Sequence, residues 1–251
     1  MRRFWLFTVK ECVEQVRTFK GIAIFLVLLF FGISSPLMAK LTPDLLKLAV
    51  TVPISIPAPT AADAYAQFFK NVGQIGFLVV LLIASGCVAI EASKGTVRLM
   101  LTRGLSRTAF ILLKFTCAVL VWSVSYAVAA GLCAVYTVLL FPNGRLSHVV
   151  AALFCLWFFG VLTLAAAVFC SAVSPSYLLS AVGSVVLWGM LLACAAFPIL
   201  KDDAPSALVS RGLELLNGLA PERLLAPVLW ACALTVGLLT AACIIFRTRD
   251  L

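Results

Sequence analysis

Six apolar runs divide most of this chain, and each is about as long as the roughly 20 residues that carry a helix across a bilayer. Their predicted bounds are 21–39, 72–90, 115–140, 149–171, 178–199 and 226–246. Of the 251 residues, 63% are hydrophobic and 12% charged, whereas a soluble domain has about 45–50% apolar and 25% charged residues. The sequence therefore predicts an all-α membrane protein, one domain over 1–251 with six transmembrane helices.

The N-terminal segment, 1–20, has the spacing of an amphipathic helix that lies in the membrane interface. Its apolar side is predicted to hold Trp5, Val9, Cys12, Val13, Val16 and Phe19, and its polar side Lys10, Glu11, Glu14, Arg17 and Lys20. The run that follows exceeds the usual 7–15 residues of a signal-peptide core. We therefore expect an interfacial helix that leads into a retained first span.

The distribution of basic residues predicts the orientation. Segments 1–20, 91–114 and 247–251 hold twelve of the nineteen Lys and Arg residues, and the opposite loops hold seven. Because Lys and Arg collect on the cytoplasmic side of a cell membrane, both termini and segment 91–114 are predicted to be cytoplasmic. The net charge of +9 then reflects topology and not nucleic-acid binding.

The sequence offers little for catalysis. His148 is the single histidine, and the nine cysteines include Cys12 near the N-terminus and eight in the apolar runs. Without CxxC spacing or paired histidines we expect the cysteines to pack, with no disulfide, zinc or other metal site. Glu91 and Lys114 lie at span ends, where snorkelling is expected to keep them solvated.

Segment 91–114 is the longest basic break between the apolar runs. Its apolar positions Val97, Met100, Leu101 and Leu105 recur at steps of three and four, which predicts a short helix across the cytoplasmic surface, with Gly95 and Gly104 as breaks. The alternative is an ordinary positive loop that only sets the topology.

The run GTVRLMLTRGLSR at 95–107, followed by LLKF at 112–115, resembles the signature of ABC-2 type transporter permeases. The matching positions are Glu91, Gly95, Thr96, Arg98, Leu101, Ser106, Arg107 and Lys114. Arg103-Gly104-Leu105 stands where that family often has a proline-containing turn. The N-terminal segment is also similar to the interfacial elbow helix that precedes the first span in the family.

This resemblance implies a permease subunit of an ATP-driven exporter that is not itself an enzyme. ATP and magnesium would bind a separate ATPase subunit, and two copies of this chain, or one copy and a sister permease, would form the pathway. Segment 91–114 would be the coupling helix that contacts the ATPase, and segment 200–224 a re-entrant pair facing outside. The implied coupling residues are Glu91, Lys94, Gly95, Thr96, Arg98, Leu101, Arg103, Ser106, Arg107 and Lys114, with Glu11, Glu14 and Arg17 on the elbow helix.

The chain lacks the GxxxxGK[ST] loop that cradles nucleotide phosphates, so any ATP-driven transport requires another chain. Glu91 is expected to pair with Lys94 or Arg98 one helical turn away, or with Arg17 or Lys20 of the elbow. An exposed pair of this kind contributes about 0–1 kcal/mol. The runner-up function is a membrane assembly or immunity factor without transport activity, and an intramembrane enzyme or ion-coupled carrier is less favoured.

Overall fold

A computed structural model of the chain describes residues 2–49, 58–102, 104–142, 146–196, 203–218 and 224–248. Within these ranges, only the backbone is described for residues 2–6, 16, 46–49, 98, 99, 101 and 196. Every regular element in the described ranges is helical. The all-α prediction is confirmed for this part of the chain.

Five stretches in the described ranges are apolar and long enough to cross a membrane. They are Lys20–Leu45, Ala61–Ser93, Arg107–Leu140, Val149–Val173 and Leu225–Thr248. They contain helices α2 (Lys20–Ala49), α3 (Ala61–Asn71), α4 (Phe77–Ala84), α5 (Gly86–Ser93), α7 (Arg107–Leu140), α8 (Val149–Val173) and α11 (Leu225–Thr248). Helix α1 (Arg2–Arg17) precedes them, and α6 (Thr96–Thr102) lies between α5 and α7.

The structure describes the span predicted at 178–199 as far as residue 196. Helix α9 (Tyr177–Ala193) has 17 residues and tightens into a 3-10 turn at Cys194–Ala196. The remainder of the predicted range lies outside the described residues.

The segment between the first two predicted spans, 40–71, is largely helical where it is described. Helix α2 runs through Pro36 and Pro43 to Ala49. Helix α3 begins after Thr60, whose backbone N–H and side-chain hydroxyl both donate to Asp63 Oδ2, each at 2.8 Å. The predicted first span ends at residue 39, before Pro43, although the helix continues through this proline, and the cap at Thr60 was not predicted.

The second span is broken at Ser85, and neighbouring helices satisfy the backbone at the break. The Ser171 hydroxyl of α8 accepts from the N–H groups of Val88 and Ala89, at 3.0 and 2.9 Å. The Ser180 hydroxyl of α9 donates to Ser85 O at 2.7 Å. Irregular backbone at membrane depth persists where protein groups replace the lost bonds, so α8 and α9 hold this break in place.

Two apolar clusters hold the helices together. The larger is centred on Phe77, Trp122 and Phe159, whose rings lie with centroids 5.5 to 5.6 Å apart in the pairs Phe77–Trp122 and Phe77–Phe159. The smaller cluster joins α6 to its neighbours and contains Val97, with Phe110 of α7 stacked on Phe246 of α11 at 5.6 Å. This second cluster positions the segment that the sequence singled out.

Helix α10 (Ala207–Leu216) lies within the segment predicted at 200–224. Its buried face, which includes Leu208 and Leu215, packs against α8 and α3. The structure therefore gives this segment a helix docked on the bundle, while residues 200–202 and 219–223 lie outside the described ranges.

Candidate functional site

The segment between the second and third spans is a short helix bounded by two glycines. Gly95 and Gly104 have φ angles of +72° and +86°, a left-handed conformation that costs other residues about 1–2 kcal/mol. Between them α6 (Thr96–Thr102) runs for seven residues. The chain therefore turns sharply on both sides of α6 and returns into α7.

Contacts at both ends fix α6 to the bundle. Val97 is 1% exposed within the smaller apolar cluster, and the Thr96 hydroxyl donates to Glu91 O at 3.1 Å. At the far end, Ser106 caps α7 by accepting from the Ala109 N–H at 3.2 Å, and Leu105 is buried. These contacts favour a helix that moves together with α5 and α7, and they argue against a freely mobile loop.

A buried lysine lies under this segment. The Lys114 ammonium donates to Glu11 Oε1 at 2.6 Å and also bonds to Glu91 Oε1. The side chains of Lys114, Glu11 and Glu91 are 1%, 5% and 15% exposed, so water screens these pairs far less than surface pairs. We call Glu11, Lys114 and Glu91 the ionic cluster; it joins α1, α7 and α5.

The ionic cluster corrects two expectations from the sequence. Lys114 does not snorkel to solvent, and Glu91 pairs with it although the sequence suggested Lys94, Arg98, Arg17 or Lys20. Each residue was assigned to a span end from hydropathy alone, which does not show which helices converge there. The stabilisation of about 0–1 kcal/mol expected for an exposed ion pair of Glu91 therefore does not apply to the buried pair with Lys114.

Glu11 was also placed on the wrong side of the elbow helix. Thr8 and Glu11 are 5% and 4% exposed, whereas Val9 and Val13 are 44% and 48% exposed. Residues 8, 11 and 12 share one helical face, which packs against α7 and leaves the valines outward. The sequence held two signs of this orientation. Glu11 lies on the same helical face as Cys12, and its partner Lys114 lies inside an apolar run.

Glu14 and Lys10 extend the charge beyond the ionic cluster. Lys10 Nζ lies 3.0 Å from Glu14 Oε2, and both side chains are substantially exposed. Partial burial alone would raise the pKa of Glu14, but the hydrogen bond from Lys10 and the charges of Lys10, Lys114 and Lys20 outweigh it and hold the pKa below its ordinary value. Glu14 is therefore a carboxylate at neutral pH.

A cavity of about 400 Å³ adjoins the ionic cluster. Its lining combines basic side chains, among them Lys10, Lys20 and Lys94, with the carboxylates of Glu11, Glu14 and Glu91. One oxygen from each of these three carboxylates lies within 4.8 Å of the others, an arrangement of hard oxygen ligands that suits a divalent cation. Lys114 already supplies positive charge to two of them, so a cation would compete with it.

Arg107 holds the end of the last helix. Its Nη1 donates to the carbonyl oxygens of Phe246 at 3.3 Å and Arg247 at 2.8 Å, where the C-terminal end of α11 favours positive charge. The sequence assigned Arg107 to a partner contact, and the structure gives it a role within this chain. Together with the Phe110–Phe246 stack, it ties α11 to the start of α7.

The other predicted coupling residues are placed as follows. Lys94 is exposed beside the cavity, and Arg17 is exposed in the last turn of α1. Arg98 and Leu101 lie in α6, but their side chains are outside the description, and Arg103 falls outside the described residues. The structure thus brings Glu91, Lys114 and Glu11 together, and the roles predicted for Arg98 and Arg103 are left to be tested by experiment.

Comparison with known proteins finds a similarity to a transmembrane protein. No protein-family model matches the chain. The chain is 23% identical over 192 residues to the uncharacterized transmembrane protein YxlG of Bacillus subtilis (strain 168). The matched region covers 74% of this chain and 72% of that protein. With five described helices able to cross a bilayer, the chain is an all-helical, multi-pass membrane protein.

Proposed function

We propose that this chain is the permease subunit of an ATP-driven exporter of the ABC-2 type, coupled through α6 to a separate ATPase subunit. The observation that carries the proposal is the attachment of α6. A short helix between two left-handed glycines is fixed at its base by the ionic cluster, which links α5, α7 and α1. The sequence resemblance over 91–115 supplies the class of partner.

The attachment suits the transfer of force. A displacement of α6 is transmitted to the second span through the bond between Thr96 and Glu91. It is transmitted to the third span and the elbow helix through the bonds of Lys114. Packed helices respond to such displacement by rigid-body shifts. The break at Ser85 supports this role, because it separates the half of the second span that carries α6 from the half above it.

A six-span topology with both termini in the cytoplasm is part of the proposal. The 17 residues of α9 and the three of the 3-10 turn give about 30 Å of helix, close to the thickness of the hydrocarbon core. Counting α9 as a span makes six. The basic residues of 1–20, 91–114 and 247–251 then share the cytoplasmic side, where an ATPase and its magnesium nucleotide are available.

The test is co-purification of the full-length chain from its native membranes in mild detergent. Wild type is expected to bring down an ATPase that carries a phosphate-binding loop, and a second permease copy or a sister permease. Arg98→Glu is expected to lower recovery of the ATPase by at least about tenfold, since charge reversal at an interface costs more than the 1.4 kcal/mol that tenfold corresponds to.

Lys70→Glu is the matched control, because Lys70 is an exposed lysine of α3, outside segment 91–114. It should leave ATPase recovery unchanged. Recovery of membrane assembly components with no ATPase, from well-inserted wild-type protein, would contradict the exporter proposal and favour an assembly or immunity factor.

A further inference from the structure

Two cysteines that are far apart in sequence meet beside the ionic cluster. The Sγ atoms of Cys12 on α1 and Cys117 on α7 lie 3.7 Å apart across a separation of 105 residues. Cys117 Sγ also lies 3.6 Å from Thr8 O, on the same face of α1. We propose that Cys12 and Cys117 are a modification site, which hydrogen peroxide oxidises to an intramolecular disulfide that staples the elbow helix to the third span.

The geometry requires only a small rearrangement. The sulfur atoms must close from 3.7 Å to the roughly 2.0 Å of a disulfide, a movement within reach of side-chain rotation. The Lys114–Glu11 bond already holds α1 against α7 at a neighbouring position. Glu11 adjoins Cys12 in the chain, and Lys114 precedes Cys117 by about one helical turn.

Access distinguishes the two thiols. Cys117 is buried, whereas Cys12 is half-buried and lines an apolar groove of about 320 Å³ between α1, α2 and α7. Ile22, Phe25 and Leu120 also line this groove. A small uncharged oxidant such as hydrogen peroxide fits this route, so Cys12 is the thiol that reacts first and Cys117 the one that resolves it.

The chemistry balances with peroxide as the oxidant. The Cys12 sulfur attacks one peroxide oxygen, an S–O bond forms, the O–O bond breaks, and the product is a sulfenic acid with release of water. The Cys117 sulfur then attacks the Cys12 sulfur. The S–S bond forms, the S–O bond breaks, and the departing hydroxide takes the Cys117 proton as a second water.

The disulfide would add a covalent bond to a contact that the Lys114–Glu11 pair and the packing of α1 on α7 already hold. Once the disulfide has formed, α1 cannot separate from α7 when α6 is displaced. Oxidation is therefore expected to stop transport while the chain stays inserted. This effect on transport rests on the proposed function, but formation of the disulfide does not.

The test uses the full-length protein in lipid nanodiscs. After peroxide treatment and alkylation, peptide mass spectrometry is expected to show a Cys12–Cys117 linkage, with two of the nine thiols lost. Cys12→Ser and Cys117→Ser should each abolish the linkage. Cys133→Ser, at a buried position further along α7, should retain it and shows that thiol substitution in this helix is tolerated.

Peroxide-treated wild type with both thiols still free, or with a stable sulfenic acid at Cys12 and no linkage, would overturn the proposal. When the linked protein is reconstituted with the partner ATPase, the rate of substrate-dependent ATP hydrolysis should fall at least about tenfold. Reduction with dithiothreitol should restore this rate. Hydrolysis unchanged in the linked protein would overturn the staple's effect on transport. Failure of any ATPase to bind would instead count against the proposed function.

Discussion

Lys114 Nζ lies 2.6 Å from Glu11 Oε1, although 103 residues separate them in the chain. Because Lys114 also bonds to Glu91, one ammonium joins the elbow helix, the third span and the base of α6. The second oxygen of Glu91, Oε2, is buried without a hydrogen-bond partner within the described ranges. Lys114 is thus the main compensation for two carboxylates at low exposure.

Removal of Lys114 should therefore be severe. Lys114→Met keeps the length of the side chain but leaves Glu11 and Glu91 without their cation, and breaking a buried pair in this way costs about 3–5 kcal/mol. We expect a large fall in thermal stability in detergent, measured by loss of the monodisperse fraction on heating.

Two controls separate charge from packing at this position. Lys94→Met removes an exposed lysine of the same segment and should change stability by less than about 0.5 kcal/mol. Combining Lys114→Met with Glu11→Gln and Glu91→Gln should recover most of the loss, because no unpaired charge remains buried. A triple variant as unstable as Lys114→Met alone would show that the lysine acts through packing.

Glu11 and Glu14 offer a second contrast, since they lie one turn apart on α1. Glu11→Gln weakens a bond to a buried lysine and should cost about 1.5–3 kcal/mol. Glu14→Gln removes an exposed pair with Lys10 and should cost about 0–1 kcal/mol. Both are measured by thermal unfolding in detergent, and equal effects would contradict the difference in burial.

Much of the fold could be predicted from the sequence, because apolar runs long enough to cross a membrane and glycines that interrupt helices are local signals. They predicted an all-helical membrane chain and a short helix between Gly95 and Gly104. Helix α2 was predicted too short because the first span was ended at residue 39, before Pro43, although a helix tolerates proline where neighbouring groups replace the lost bonds.

The ionic cluster could not be predicted in the same way. Glu11, Glu91 and Lys114 come together only because α1, α5 and α7 converge, and such convergence is a tertiary property that no local pattern encodes. Hydropathy placed Glu91 and Lys114 at span ends, where snorkelling is the ordinary outcome, and helical spacing placed Glu11 on the polar side of the N-terminal helix. The shared face of Glu11 and Cys12 was the one local sign that an acid points into the protein.

The glycines on either side of α6 should resist substitution. Gly104→Ala places a side chain at a φ of +86°, which costs about 1–2 kcal/mol, and Gly95→Ala should cost the same for the same reason. Gly131→Ala is the control, since this helical glycine of α7 has no atom within 4 Å of an added Cβ. Thermal unfolding that ranks Gly131→Ala with the other two would contradict the left-handed turns.

The break in the second span depends on Ser171. Ser171→Ala removes the acceptor of two buried N–H groups, and an unsatisfied buried donor costs about 1–3 kcal/mol. Hydrogen exchange at Val88 and Ala89 should become faster. Ser184→Ala removes a hydroxyl that donates to a carbonyl of its own helix, Ser180 O, so exchange at Val88 and Ala89 should stay as in wild type; acceleration in both variants would show a general loosening.

The most direct test of the account is to ask what α6 touches in the membrane. A photoreactive amino acid at exposed Thr102 of α6, with the same substitution at exposed Lys70 of α3 as control, can be activated in cells that produce the full-length chain. The account predicts that position 102 cross-links to an ATPase carrying a phosphate-binding loop and that position 70 does not. Cross-links from position 102 to lipid alone, or to proteins without such a loop, would contradict it.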